Sequence, residues 1–105
     1  MENQTNIGAE MIGKFVIVRT YSAGVHYGTL KERTGTELVL TNARRVHYWE
    51  GAASLSQMAI DGIKKPEPSR VSVVVPEILV TEAIEVIPCT PEATENLTNQ
   101  PIWAV

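Results

Sequence analysis

The sequence is poor in the residues on which most small-domain chemistry depends. Among its 105 residues there is one cysteine, Cys89, with two histidines, one phenylalanine and two tryptophans. A lone thiol excludes an internal disulfide and every multi-cysteine metal site, and it suits a reducing cytoplasm. His26 and His47 lie too far apart in the chain for a short metal-ligand motif. No apolar run approaches the roughly 20 residues needed to span a bilayer. The opening MENQTNIGAEMIGK has neither the basic start nor the apolar core of a secretory signal. Neither GxGxxG nor GxxxxGK occurs, and no nucleophile-elbow pattern supports a catalytic serine. The expectation is a single domain over residues 1–105, in the cytoplasm of a cell, with residues 1–11 polar and loose. Catalytic residues, a metal and a cofactor are not expected, and neither is a membrane partner.

What the chain does have is concentrated. The stretch Lys14 to Trp49 holds six of the nine Lys/Arg against Glu32 and Glu37, giving it +4 and leaving −7 for the rest of an acidic chain of net charge −3. Both histidines, all three tyrosines, the phenylalanine and Trp49 lie in that stretch. Binding bulk duplex nucleic acid usually needs a basic face and a high pI, so duplex is not the expected partner. Cations interleaved with aromatic rings suit a small ligand with phosphates to pair and bases to stack.

The pattern predicts an α+β fold: a small antiparallel twisted sheet or partly closed barrel of about six strands, with one or two short helices. FVIVRTY, VHYGTLK, TELVLTN and ARRVHYW read as four successive strands. Ser22-Ala23-Gly24, Arg33-Thr34-Gly35 and a short break at Asn42-Ala43 separate them. Ser54 with Gln57 three residues on fits a capping box. Leu55, Met58 and Ala59 give the helical stripe, and Gly62 the stop. KKPEPS reads as a loop because of its two prolines. RVSVVV and, after Pro76, EILVTEAIEVI read as two further strands, so apolar that burial on both faces or at a subunit interface is expected. Thr90-Pro91 opens a second short helix, and Pro101-Ile102-Trp103 reads as a strand-like tail. Glu77, Glu82 and Glu85 suit exposed strand positions, and Cys89 suits a small buried hydrophobe.

Two segments supply candidate ligand-binding residues. In the first, Arg44-Arg45-Val46-His47-Tyr48-Trp49, strand alternation places Arg45, His47 and Trp49 on one face and Arg44, Val46 and Tyr48 on the other. A guanidinium, an imidazole and an indole in a row could fork a phosphate, donate a second hydrogen bond and stack a base. The alternative is that Trp49 fills the core and the arginines form a solvated rim. In the second segment, Tyr21-Ser22-Ala23-Gly24-Val25-His26-Tyr27, small residues permit close approach to the backbone and consecutive amides could form an anion nest. Turn geometry alone would also account for Ser-Ala-Gly. Arg19, beside this segment, completes the candidate set.

The run GKFVIVRTYSAGVHYGTLKERTGTELVLTNARRVHYWEGAASLSQMAIDG, roughly residues 13–63, resembles the signature block of a small bacteriophage family, the first-described Thoeris anti-defence sponges. The AIEVIPCT segment and the closing Pro-x-Trp agree more loosely. The resemblance implies a non-catalytic protein that sequesters cyclic nucleotide immune signals in the host cytoplasm. Those signals are cyclic ADP-ribose isomers and, for some members, cyclic di- and trinucleotides in a separate pocket. It also implies homo-oligomers, from dimers up to hexamers. Three other readings compete with the sponge. One is an oligomeric RNA- or single-strand-binding ring of Sm-like or OB-like type. Another is a structural phage protein whose aromatic segment is only an interface, and the last is an enzyme that cleaves the nucleotide.

Overall fold

A computed structural model describes residues 8–105. Most of the segment expected to be loose, residues 1–7, lies outside the described residues; its last part forms a 3-10 turn, Ala9–Met11, closed by a bond from the Met11 N–H to Gly8 O (3.0 Å). Six strands follow, in the order β1 (Phe15–Thr20), β2 (Val25–Thr34), β3 (Glu37–Glu50), β4 (Lys65–Val71), β5 (Val75–Val80) and β6 (Ala83–Pro88). Helix α1 (Leu55–Asp61) sits between β3 and β4, and α2 (Pro91–Thr98) follows β6. All strand pairs are antiparallel, in the spatial order β4-β3-β2-β1-β6, with β5 also on β3. The sheet curls into a half-barrel, so the expected α+β architecture is what the chain adopts.

The strand partition differs from the expected one in three places, each with a physical reason. TELVLTN and ARRVHYW form one long strand. Asn42, at φ 50, bends it without breaking it, since asparagine tolerates left-handed backbone better than most residues. Either side of that bend, β3 pairs β5 through Leu38–Ala43 and β4 through Val46–Glu50. The KKPEPS segment, expected as a loop, supplies most of β4. Pro66 and Pro68 are tolerated because, among the described residues, β4 is an edge strand that ladders with β3 alone. RVSVVV is divided by a connector at 72–74 that is outside the strands, and EILVTEAIEVI divides at Thr81-Glu82 into β5 and β6.

Double burial falls on β1, not on the valine-rich strands expected to have it. Val16 and Val18 enter a cluster with Leu30, Leu38, Leu40 and Val80 on the concave side. Ile17, pointing the opposite way, packs with Tyr27, Val46, Met58, Ile63, Val71 and Leu97 beneath the two helices. Val73, Val74, Val75 and Leu79 are by contrast exposed in the single chain. Both helix starts are as expected. Ser54 Oγ accepts from Gln57 N–H (3.2 Å) and Gln57 Oε1 from Ala53 N–H (2.8 Å). Thr90 Oγ1 accepts from Ala93 N–H (3.0 Å) and donates to Ile60 O (2.7 Å), joining the helices.

Candidate functional site

The two candidate segments become neighbouring strands. Tyr27 pairs with Arg44, His26 with Arg45 and Val25 with Val46. His26 and Arg45 share a face because cross-strand partners point the same way. Together with His47, Ser72, Val73, Val75 and Ile78 they line a depression of about 260 Å³. Arg45 is exposed, and its guanidinium makes no ion pair among the described residues. Its own N–H donates to Ser72 Oγ (2.8 Å), which fixes the strand beneath it.

His26 forms the floor, only 1% exposed. Its Nε2–H donates to Ala23 O (3.1 Å), which leaves Nδ1 as the acceptor. Burial, and then the Arg45 charge, hold its pKa below the ordinary histidine value. His26 is therefore a neutral ring at pH 7, and the positive charge of this face comes from Arg45.

Trp49 does not join this face. The β3–β4 register shifts between Val46 and Tyr48 and again between Tyr48 and Glu50, and such bulges reverse the alternation of side chains. Trp49 consequently packs on the helix-side cluster with Val46, and its Nε1–H donates to Ala52 O (3.1 Å). The indole beside His47 is that of Trp103, from the C-terminal tail. The two ring centroids lie 5.2 Å apart, and the Arg70 guanidinium carbon is 5.5 Å from the Trp103 ring centroid. Trp103 remains 49% exposed, and its N–H is held by Val71 O (2.8 Å). Arg45, His47, Arg70 and Trp103 thus supply the expected combination of cations, imidazole and indole, with a different tryptophan.

Arg44 is elsewhere. It is 3% exposed, and its guanidinium donates to main-chain carbonyls only, so it is not a free phosphate fork. Tyr27 is buried too, its hydroxyl donating to Leu97 O (2.8 Å), and burial raises its pKa.

The Tyr21–Gly24 turn does not form an open anion nest. Ala23 N–H donates to Thr20 Oγ1 (2.8 Å), which itself donates to Gly24 O (2.7 Å). Ser22 Oγ donates to the Glu82 carboxylate (2.6 Å), a group that would repel an anion. Tyr21 is exposed, and Arg19 pairs with Glu85 (3.1 Å) across the strands.

A larger cleft of about 820 Å³ opens between α2 and the sheet. Phe15, Tyr27 and Cys89 give it aromatic and apolar walls, and Lys14, Thr29, Asn42 and Thr94 add polar groups. Burial pushes the Cys89 thiol up to about 12, so it is an unreactive wall residue. Sequence reasoning counted Lys14 among the cations of the basic stretch but left it, Thr29 and Asn42 out of the candidate ligand-binding residues, along with Arg70 and Trp103. The basic and aromatic character of the tail and of β4 was visible, but their proximity to His47 was not.

Among the described residues no group of His, Cys, Asp or Glu could hold a metal, and no helix is long and apolar enough to cross a membrane. Residues 13–97 match the family described as a domain of unknown function, DUF6948. The chain belongs to that family. No curated protein matches it. In this DUF6948 protein the depression and its cations lie inside the matched span, and the tail with Trp103 lies beyond it.

Proposed function

We propose that this protein is a non-catalytic sponge that holds a cyclic nucleotide immune signal, of the cyclic ADP-ribose class, on the Arg45–His47–Trp103 face. The supporting observation is the convergence of two segments selected separately for their chemistry, His26 standing opposite Arg45 in register. An unpaired guanidinium suits one pyrophosphate oxygen pair, and a half-exposed indole suits the purine. The resemblance of residues 13–63 to the Thoeris anti-defence sponges points to the same ligand class.

The depression, at about 260 Å³, is below the roughly 300–1,000 Å³ of typical ligand pockets. A ligand with a pyrophosphate, two riboses and a purine overfills it. In this proposal a second copy closes over the ligand, bringing exposed Val73 and Val75 at the rim into a subunit interface. Such a homo-oligomer works in the cytoplasm of an infected cell.

Isothermal titration with a cyclic ADP-ribose isomer tests the assignment. Arg45→Ala should weaken binding roughly 10- to 100-fold, the value of a hydrogen bond to a charged group. The size of the larger cleft favours a second reading, in which the ligand sits there against Lys14 and Asn42. Lys14→Ala weakening capture while Arg45→Ala does not would move the ligand to that cleft.

A further inference from the structure

We infer that Arg44 is the positioning residue of this face: it seats Trp103 beside His47 without touching the ligand. The inference rests on the sponge reading. A guanidinium offers five N–H donors in a rigid fork, and here every observed acceptor is a main-chain carbonyl. Nε donates to Ser72 O (2.8 Å). Nη1 donates to Gln100 O (2.8 Å) and more weakly to Leu97 O (3.5 Å). Nη2 donates to Pro101 O (3.1 Å), with Val71 O at 3.5 Å.

These carbonyls come from two parts of the chain that are far apart in sequence and that also meet through the Val71–Leu97 core cluster and the Trp103 N–H bond to Val71 O. Val71 ends β4 and Ser72 opens the connector after it, whereas Leu97, Gln100 and Pro101 are the end of α2 and the start of the tail. Residues 99–105 have no regular structure, and 101–105 are exposed. From Pro101 onward, the tail is held among the described residues by the Arg44 bond to Pro101 O, the Trp103 N–H bond to Val71 O, and the contacts of the indole with His47 and Arg70. Arg44 therefore fixes the carbonyl two residues before Trp103, and also the strand end that receives the Trp103 N–H. A lysine, with one compact charge, could not bridge both groups. The buried cation needs such partners, because an unpaired charge in this position would be strongly unfavourable.

Tryptophan emission and ligand capture test this together. With Trp49→Phe, Trp103 is the only tryptophan. Arg44→Gln in that background should shift Trp103 emission to the red and raise its quenching by acrylamide. With Trp49 in place, Arg44→Gln and removal of residues 101–105 should each weaken capture of a cyclic ADP-ribose isomer by a similar factor, roughly tenfold or more for a lost stacking plate. Combining them should add nothing. Should Arg44→Gln fail to fold, Arg44→Lys gives the same readouts with the charge retained.

Unmoved emission, or a combined loss well beyond that of the truncation alone, would overturn the inference, the second outcome placing Arg44 against the ligand. If the unaltered protein retains no ligand, the sponge reading fails, and the emission of Trp103 still decides the clasp.

Discussion

At the scale of single residues, the two adjacent arginines do opposite work, and their variants should separate cleanly. Arg44→Ala takes the donor from Ser72 O, Gln100 O and Pro101 O and empties a buried site. At about 1–3 kcal/mol for each carbonyl that stays buried, a drop in melting temperature of roughly 10 °C is expected. Arg45→Ala should leave melting within a few degrees and act on binding alone. Trp49→Ala removes an indole packed on the helix-side cluster and its bond to Ala52. It should cost about 2–4 kcal/mol of stability, near the lower end for buried tryptophan, and leave the affinity of the folded fraction unchanged.

His26 adds a pH signature. Its pKa is lowered in the fold, so below about pH 6.5 the unfolded chain takes up the proton more readily than the folded one. The stability it contributes is present above that pH and is lost as pH falls towards the lowered folded value. The melting-temperature advantage of the unaltered protein over His26→Gln should shrink between pH 7.5 and 5. A constant difference would count against the neutral buried ring.

At the scale of elements, the bends of β2 and β3 place the site. The register of this pair shifts between Tyr27 and Thr29, where Gly28 faces Asn42 and its neighbours. A Cβ at Gly28 would lie 2.8 Å from Thr41 O and 3.0 Å from the Ala43 Cα. Gly28→Ala should therefore cost about 1–3 kcal/mol as overpacking, measured by denaturant unfolding. Asn42→Gly should be tolerated at φ 50 and Asn42→Val should not.

Much of this architecture was legible in the sequence. The first two strands, both helix caps and the strand count follow from alternation and capping chemistry that act locally. The merged β3 was not legible, because Asn42-Ala43 has the composition of a break and only pairing with β4 and β5 turns it into a bend. Strand β4 was hidden by prolines that an edge position permits. In the candidate site, Arg45, His47 and His26 come together because they are near neighbours across one hairpin. The burial of Arg44 and the nearness of Trp103 were not legible, since both depend on where a tail more than 50 residues downstream comes to rest.

At the scale of the molecule, the valine-rich segment leaves several large apolar side chains open to solvent, a feature that suits a subunit interface. Val73, Val74 and Leu79 are 45%, 47% and 60% exposed, and Val73 lines the Arg45 depression. Light scattering at micromolar concentration should give a mass well above 11.5 kDa. Leu79→Glu should reduce that mass while leaving the circular dichroism of the fold intact. A stable monomer of the unaltered protein would remove the second copy from the proposed site.

The sponge reading itself is tested most directly by capture and release. The protein is incubated with a cyclic ADP-ribose isomer, freed of unbound ligand by filtration, and denatured by heat; the supernatant is then analysed for the nucleotide. The account predicts near-stoichiometric retention and release of the intact cyclic molecule. A ligand that passes the filter unbound, or one that returns cleaved, would contradict it.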